Sequence, residues 1–383
     1  MRICLVGGIF GTSTAHRASH GHTPETTLAA GLRACGHHVD TVGHGEFVPS
    51  EDYDVIHVHH VGRAAYLMAA TYTRTPFVFT GHDGKMLCGC EHNPLRGAAF
   101  REVAHRCDVA VALSHAEAGF IQGVASPTRV EVIPNGIPAV VYESVDLEGP
   151  PERSGLIFAG QLIPIKGVDV LLRAMKLLAG RPPLRLTLAY HNAMMERQLK
   201  ALADELGLTE RVRFAGPQTP ENLAKLYRAS EAFVLPSHAE SLPSSIAEAL
   251  LAGTPVVATA VGGIREQVAG FGALVVPGDP RALAAAISRV LDAPPSPALR
   301  REMRERVRAR FSPTAMVEDH LRLYQSVTSE PISRRRRRPI DPVLRAAIWA
   351  YWGLAKPARR RLSRRGGRAA PDHLASSAYT LRS

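Results

Sequence analysis

The sequence predicts an α/β protein with two doubly wound parallel sheets and a basic C-terminal tail. Short apolar, β-branched runs alternate with periodic segments of helical length along most of the first 328 residues. This alternation is typical of right-handed βαβ units, whose strands pair in parallel. A Pro-, Glu- and Ser-rich linker interrupts it at residues 139–154. We therefore expect two Rossmann-like domains, at residues 1–138 and 155–312, that face each other across a cleft.

Each domain is expected to contain six strands. Residues 25–35, 98–106 and 168–178 have helical periodicity, and a helix at residues 313–328 is expected to complete the first domain. The predicted strands of the first domain are residues 2–6, 38–42, 54–59, 77–80, 108–113 and 129–133. Those of the second domain are residues 156–159, 184–190, 211–214, 232–235, 256–258 and 273–276.

Composition favours a globular enzyme. Apolar residues make up 45% of the 383 residues and the mean hydropathy is −0.04, which excludes a disordered chain and a polytopic membrane protein. No run approaches the ~20 apolar residues that span a bilayer. The chain begins with a predicted strand that leads into glycines, so we expect no signal peptide. Five cysteines at irregular spacing indicate reduced thiols in a cytoplasmic protein.

Two glutamates, Glu240 and Glu248, stand eight residues apart where a strand should end and a helix should begin. Ser244 and Ser245 are typical of a helix start, and Gly253 is typical of a helix end. The N–H groups of a helix N-terminus bind anions such as a diphosphate, and nearby carboxylates accept hydrogen bonds from hydroxyls. A sugar nucleotide has both groups. The simpler alternative is a loop acid beside a solvated helix face.

Nine short motifs occur in an order that resembles the GT4 family of glycosyltransferases, which have the GT-B fold. The resemblance covers the chain from residue 1 to about residue 328. The motifs are Gly-His-His-Val at 36–39, Asp-Val-Ile-His-Val-His at 54–59, Thr-Gly-His-Asp at 80–83, Val-Ala-Leu-Ser at 111–114, Val-Ile-Pro-Asn-Gly-Ile at 132–137, Ala-Gly-Gln-Leu-Ile-Pro-Ile-Lys-Gly at 159–167, Phe-Ala-Gly at 214–216, Leu-Pro-Ser-His-Ala-Glu at 235–240 and Gly-Thr-Pro-Val-Val-Ala at 253–258.

The resemblance implies a retaining enzyme that moves a sugar from a nucleotide donor to an acceptor hydroxyl, with the first domain on the acceptor side. It implies a UDP- or GDP-linked donor as substrate and no metal or other cofactor. Lys166 would offset charge on the departing diphosphate, whereas a solvated lysine is the alternative. The implied catalytic residues are His82, Glu240 and Lys166. The implied donor-binding residues are Gln161, Lys166, Ser241, Leu242, Ser244, Ser245 and Glu248.

Three places depart from the family pattern. Gln161 stands where the family usually has arginine, residues 190–192 read Tyr-His-Asn where a Gly-x-Gly turn is common, and residues 22–23 read His-Thr in place of two glycines. An amide donates a hydrogen bond but carries no charge, so stabilisation of the leaving group is expected to be weaker or to come from elsewhere. Beside His82, Asp83 is expected either to orient the imidazole or to contact the acceptor.

The first 92 residues hold eleven of the seventeen histidines, which raises the possibility of a metal site. His57 and His59 alternate on one predicted strand and so share a face. A further group of soft ligands consists of Cys88, Cys90, His92 and Cys107. Its spacing fits no zinc pattern well because a Cys-x-x-Cys pair is missing, so we expect no metal there.

The tail carries the basicity of the chain. Residues 331–383 hold fourteen basic and two acidic residues, a net charge of +12, which leaves −1 on the other 330 residues. Within residues 334–365, arginine clusters flank a predicted helix with one apolar face and both tryptophans of the chain. This combination is typical of an interfacial helix on an anionic membrane. Nucleic-acid binding is the alternative, which we favour less because it needs no apolar stripe.

These observations predict a cytoplasmic glycosyltransferase that associates peripherally with the inner face of the cell membrane. Its acceptor is expected to be a lipid-linked or cell-envelope glycan. One alternative is a GT-B sugar-nucleotide epimerase, which would need acid or base residues beyond Glu240. The other is a protein that binds a sugar nucleotide with little or no turnover, which Gln161 motivates.

Overall fold

Two sheets of six parallel strands form the core of the protein. The computed structural model describes residues 1–12, 23–43, 52–62, 75–82, 94–125, 129–143, 153–178, 180, 184–268, 270–330, 346 and 350. Within these ranges the predicted α/β class with two parallel sheets is confirmed. The predictions for Asp83, Cys88, Cys90, His92 and the basic tail fall outside the described residues, apart from two isolated tail positions.

The first sheet has the strand order β2-β1-β3-β4-β5-β6. The order reverses beside β1, the doubly wound arrangement expected from the alternating pattern. All six predicted strands are present, with ends that differ by one residue at most. The strands are β1 (Arg2–Val6), β2 (His38–Val42), β3 (Val55–His59), β4 (Phe77–Thr80), β5 (Val109–Ala112) and β6 (Val130–Val132). Between these strands, the described residues form the helices α1 (Pro24–Ala34), α2 (Pro94–Arg106) and α3 (His115–Val124).

The second sheet has the strand order β12-β11-β10-β7-β8-β9. Its strands are β7 (Leu156–Ala159), β8 (Leu186–Ala189), β9 (Val212–Gly216), β10 (Ala232–Leu235), β11 (Val256–Thr259) and β12 (Gly272–Val275). The helices of this half are α4 (Val140–Glu143), α5 (Val168–Leu177), α6 (Glu196–Glu205), α7 (Pro220–Ala229), α8 (Ser244–Leu251), α9 (Ile264–Val268), α10 (Pro280–Asp292), α11 (Pro297–Phe311) and α12 (Pro313–Ser329). Short 3₁₀ turns occupy Gly8–Gly11, Pro164–Lys166 and Thr209–Arg211.

The helix α12 packs on the first sheet although it follows the second sheet in the chain. Its buried side chains join the core beneath β1, β3 and α1. Tyr324 Oη lies 2.6 Å from His57 Nδ1 on β3. Gly31 of α1 permits the close approach, because a Cβ there would lie 2.3 Å from Val317. The chain therefore crosses from one half of the molecule to the other twice.

The inner strands of each sheet are buried on both faces, as is usual for parallel sheets. β3, β4, β5, β7, β10 and β11 have no exposed residue. Polar side chains that could act on a ligand therefore lie beyond the strand ends. No helix in the described ranges is long and apolar enough to cross a membrane.

Candidate functional site

Glu240 lies on the loop between β10 and α8, at the carboxyl end of the second sheet. Its side chain is largely buried, and its Oε1 accepts two hydrogen bonds. Lys166 Nζ donates one at 2.5 Å, and Ser237 Oγ donates the other at 2.6 Å. Charge-assisted hydrogen bonds of this length fix a side chain firmly. The loop after β7 and the loop after β10 thus meet at one carboxylate.

Two glycines allow the loops around Glu240 to pack this closely. Gly167 has φ of 62°, and a Cβ there would lie 2.3 Å from the Pro236 carbonyl oxygen. Gly262 has φ of 50°, and a Cβ there would lie 1.8 Å from the Glu240 carbonyl oxygen. A residue with a side chain fits neither place without moving the backbone. Lys166 and Glu240 are therefore positioned by backbone packing as well as by their ion pair.

The helix α8 begins directly after this loop. Pro243 is its N-cap and makes no side-chain cap, and a proline has no N–H to donate. The first-turn N–H groups, including those of Ser244 and Ser245, carry the positive end of the helix dipole. Ser241 and Leu242 precede them and are buried. The carboxyl end of β10 thus presents an anion-binding helix terminus a few residues from the Lys166–Glu240 pair.

Glu248 lies in the second turn of α8 and faces two tyrosines. Tyr227 Oη of α7 donates to Glu248 Oε2 at 3.1 Å, and the hydroxyl of Tyr142 also bonds the carboxyl. Burial raises the pKa of Glu248 to about 7, although both hydroxyl hydrogen bonds lower it. Tyr142 belongs to α4, within the predicted linker. The linker therefore reaches the second glutamate of the motif.

Gln161 follows β7 and lies beside a residue of the loop after β8. Its Nε2 is 3.4 Å from His191 Nε2. Two backbone hydrogen bonds, Leu162 N–H to the Asn192 carbonyl and Met195 N–H to the Leu162 carbonyl, hold the two loops together. Two departures from the family pattern, at residue 161 and at residues 190–192, thus meet in space.

His82 lies two residues beyond the end of β4 and has a left-handed backbone with φ of 57°. Its Nε2 is 2.6 Å from Nδ1 of His59, the last residue of β3. Burial lowers the pKa of His82 to about 3, although the charge of Glu25 opposes this shift. Burial also lowers the pKa of His59 far below its ordinary value. Both imidazoles are therefore neutral near neutral pH.

A glutamate of α1 accompanies these histidines. Glu25 Oε1 lies 2.9 Å from Nε2 of His60, which also has a left-handed backbone, with φ of 66°. Burial alone would raise the pKa of Glu25, but the His60 hydrogen bond and the nearby imidazoles hold it well below its ordinary value. An ionised carboxylate and several imidazoles thus surround the carboxyl ends of β3 and β4.

Contacts between the two halves lie next to the Glu240 loop. Ser241 Oγ lies 3.5 Å from Oε1 of Glu117 in α3. In a second contact the first half is the donor: Glu266 of α9 accepts hydrogen bonds from the backbone N–H of His115 at 2.7 Å and of Ala116 at 3.4 Å. The N-terminus of α3 is thus covered by a carboxylate of the other half. The helix α3 follows β5, and β5 pairs with β4, the strand that leads to His82. The loop that carries Glu240 and Ser241 therefore contacts the helix next to the strand that precedes His82.

The sequence-predicted residues fall into two groups. Lys166, Glu240, Ser241, Leu242, Ser244, Ser245 and Glu248 lie on the loops and helix at the carboxyl end of the second sheet, and Gln161 lies on the Lys166 loop. His82 lies on the first sheet. Their roles toward a ligand stay predictions. Sequence reasoning missed Ser237, Tyr142, Tyr227, Glu266 and the pairing of His59 with His82.

Among the residues that the structure describes, no group of three or more His, Cys, Asp and Glu side chains is arranged to hold a metal ion. Cys107 is buried, and its Sγ lies 3.2 Å from the Ala104 carbonyl oxygen. The other members of the predicted soft-ligand group fall in ranges that are not described.

Two family descriptions match the chain. "Glycosyl transferases group 1" matches residues 143–310, and "Glycosyltransferase Family 4" matches residues 45–140. Among curated proteins, the D-inositol 3-phosphate glycosyltransferase of Mycolicibacterium smegmatis is 32% identical over 309 residues, which are 74% of this chain and 70% of that protein. The protein of the same name from Salinispora tropica is 33% identical, over 74% of this chain and 66% of its own length.

Solved structures show the same fold. Sucrose-phosphate synthase from Thermosynechococcus elongatus has a TM-score of 0.72 at 22% identity, over 85% of this chain and 99% of that one. Anabaena HepE in complex with UDP-glucose has a TM-score of 0.65 at 21% identity, over 85% of this chain and 100% of that one. The two-sheet architecture is therefore the GT-B fold. With 32% identity over most of its length to a curated glycosyltransferase, the chain belongs to the group 1 glycosyltransferases of family 4, which use nucleotide sugars.

Proposed function

We propose that the chain is a retaining glycosyltransferase that moves a sugar from a UDP- or GDP-linked donor to an acceptor hydroxyl. The Lys166–Glu240 ion pair beside the N-terminus of α8 carries this proposal. A cation and a carboxylate are paired a few residues before the N-terminal N–H groups of this helix, and these three kinds of group suit a diphosphate that carries a sugar. The complex of a similar fold with UDP-glucose supports a uridine donor.

In the proposed donor complex, the N–H groups of Ser244 and Ser245 and the ammonium of Lys166 bind the diphosphate. Ser241 and Leu242 shape the turn beneath it. Glu240 accepts hydrogen bonds from the hydroxyls of the sugar, and Glu248 accepts them from the ribose. The spacing of the two glutamates along α8 and its preceding loop supports this division, because the diphosphate lies between the two sugars of such a donor.

The proposed reaction breaks the bond between the anomeric carbon and the diphosphate oxygen. A bond from the acceptor oxygen forms on the same face, and the acceptor proton passes to the departing diphosphate. Two observations support transfer without Glu240 or His82 as the base. Oε1 of Glu240 already accepts from Lys166 and Ser237, and the pKa of His82 lies near 3 because of burial. Lys166 would stabilise the charge that develops on the leaving group.

The acceptor is proposed to bind to the first half, residues 1–138, and the donor to residues 155–312. The names of the relatives support a polyol phosphate as acceptor. The composition of residues 334–365 supports a lipid-linked or cell-envelope glycan that is reached at an anionic membrane. Both are polyhydroxylated compounds, and a direct comparison of the two decides between them.

The test is a thermal-shift screen with UDP-, GDP- and ADP-sugars, followed by transfer assays with the donor that binds. We expect one donor class to raise the melting temperature of the wild type, and Glu248→Ala to reduce that rise strongly. Transfer assays would compare inositol 3-phosphate with a polyprenyl-linked sugar. A donor that is converted to another sugar nucleotide without acceptor would show an epimerase. If no sugar nucleotide shifts the melting temperature, the proposed function is wrong.

A further inference from the structure

Two histidines on neighbouring strands form a buried pair on the first sheet. His59 ends β3, and His82 follows β4, which pairs with β3 in parallel. Nδ1 of His59 and Nε2 of His82 lie 2.6 Å apart, and the two rings stack with centroids 4.9 Å apart. The side chain of His59 is 1% exposed. A hydrogen bond this short means that one of the two nitrogens carries a hydrogen and the other does not.

The second nitrogen of His59 has no partner. Nε2 of His59 is buried and makes no hydrogen bond within the described part of the chain. The neighbouring ring of His57, whose centroid lies 4.2 Å from that of His59, does not supply a partner for this nitrogen. Both nitrogens of His57 are already used, Nδ1 by Tyr324 and Nε2 by Thr80. Among the residues that the structure describes, His59 thus has one shared nitrogen and one without a hydrogen-bond partner.

This asymmetry decides where the hydrogen lies. Both rings are neutral because burial lowers the pKa of each. If His82 donated from Nε2, His59 would need its own hydrogen on Nε2, where an N–H would be buried without an acceptor. Such orphaned N–H groups are rare in folded proteins because they lose their hydrogen bonds to water. If His59 donates from Nδ1, only a bare ring nitrogen remains buried.

We propose that His59 is a positioning residue that donates from Nδ1 to His82 and thereby holds His82 in the tautomer with hydrogen on Nδ1. Since Nε2 of His82 is occupied, Nδ1–H is the group left for a ligand. His82 therefore offers a hydrogen-bond donor, not an acceptor, to the sugar of the donor or to the acceptor. The left-handed backbone of His82 agrees with a ring held in one orientation. The tautomer is inferred from the structure alone, whereas the identity of the ligand rests on the proposed function.

Amide side chains test the tautomer, because the amide nitrogen of asparagine falls near the place of Nδ1 and that of glutamine near Nε2. His59→Asn keeps a donor for His82, whereas His59→Gln and His59→Ala do not. We expect His59→Asn to retain turnover within about threefold. We expect the other two to lose on the order of 10-fold to 100-fold in kcat, the scale for removal of a partner that orients a functional histidine. His105→Asn on the exposed side of α2 is the control.

UDP affinity and melting temperature separate positioning from folding. All three His59 variants should bind UDP as the wild type does, because the proposed nucleotide site lies on the second half. A structural role would instead lower the melting temperature and UDP affinity of His59→Asn and His59→Gln alike. Equal kcat in these two variants would overturn the proposal.

Nitrogen-15 NMR of the free wild-type protein reads the tautomer without donor, acceptor or turnover. We expect His82 to show a protonated Nδ1 and a bare Nε2, and His59→Ala to lose this preference. A protonated Nε2 on His82 would overturn the inference even if the enzyme transfers sugar. The expected tautomer in a protein that binds no sugar nucleotide would instead refute only the proposed function.

Discussion

Lys166 Nζ lies 2.5 Å from Glu240 Oε1, so a cation and a carboxylate from two loops form an ion pair. Gly167 and Gly262 allow these loops to pack closely because neither residue has a side chain. In the proposed donor complex, the ammonium would bind the diphosphate and the carboxylate would accept hydrogen bonds from the sugar hydroxyls. If the proposed roles are right, the ion pair already holds both groups in place, which would reduce reorganisation during the reaction.

Removal of Lys166 should lower turnover. We expect Lys166→Ala to reduce kcat by ~10²-fold or more, the scale of one preorganised charge stabiliser. Lys176→Ala, an exposed lysine of α5, is the matched control and should change kcat little. Steady-state kinetics with the identified donor measures both. Normal kcat in Lys166→Ala would remove this lysine from the chemistry.

Glu248 should make donor affinity depend on pH. Burial raises its pKa from 4.5 to about 7, so the carboxyl is largely protonated below pH 7 and cannot accept from a ribose hydroxyl at both oxygens. We expect the affinity for a UDP-sugar to rise between pH 6 and pH 8, and Glu248→Gln to lose this dependence. Calorimetric titration at several pH values measures it. An equal pH dependence in wild type and variant would exclude Glu248 as its source.

The same shift predicts how stability depends on pH. The folded protein keeps the Glu248 proton at pH values where the unfolded chain has lost it, so the free energy of unfolding falls as pH rises from about 4.5 to about 7. Glu248→Gln should therefore be more stable than wild type at pH 8, by about 1 to 3 kcal/mol, with a smaller difference at pH 5. Urea unfolding at both pH values checks the sign. The prediction is wrong if the stability difference between Glu248→Gln and wild type is less favourable to the variant at pH 8 than at pH 5.

Glu266 should matter more to stability than the imidazole it touches. The carboxylate accepts from the backbone N–H groups of His115 and Ala116 and so covers the N-terminus of α3, which contributes about 1 kcal/mol. The His115 side chain is mostly exposed, and such ion pairs contribute roughly 0 to 1 kcal/mol. Glu266→Ala should thus cost more than His115→Ala in urea unfolding. The reverse order would show that the imidazole makes the contact.

Gln161→Arg should retain or raise turnover. An arginine at this place would add a positive charge beside His191, on the loop that carries Lys166. If the leaving group lacks charge stabilisation, kcat should rise while the affinity for free UDP also improves. A loss of more than about 10-fold would show that the diphosphate site is built around the amide.

The tail should affect acceptor use and leave donor binding unchanged. Truncation after Glu330 removes the +12 segment but none of the proposed donor residues. The truncated protein should bind a UDP-sugar normally and should not sediment with anionic vesicles. The full chain should sediment with these vesicles, and less of it should do so as salt rises. Neutral vesicles are the control. A full chain that ignores both vesicle types and binds RNA would exclude the membrane proposal.

The strands and the Glu240–Glu248 segment were predictable because their signals are local. Runs such as residues 232–235 identify a buried strand, and Gly253 marks the end of α8, where its φ is 69°. The contact of Tyr142 with Glu248, the cover of α3 by Glu266 and the contact of Tyr324 with His57 were not predictable. Each joins residues more than one hundred positions apart, and no periodicity in a single sequence encodes such a pairing.

The histidines show which contacts a sequence pattern predicts and which contacts only the structure reveals. Alternation along one strand places His57 and His59 on the same face, and their rings stack at 4.2 Å. The sequence left open whether the histidine-rich region binds metal. In the structure, His57 bonds Tyr324 and Thr80, and His59 bonds His82, so these side chains are engaged with protein groups.

The anomeric configuration of the transferred sugar tests the central proposal most directly. The enzyme would be given an α-linked UDP- or GDP-sugar and the acceptor that supports turnover, and the product linkage would be read by proton NMR. Retention predicts an α-linked product in wild type, with the same linkage formed more slowly by Lys166→Ala. A β-linked product would contradict the account, because inversion needs a base on the opposite face that neither Glu240 nor His82 supplies in this site.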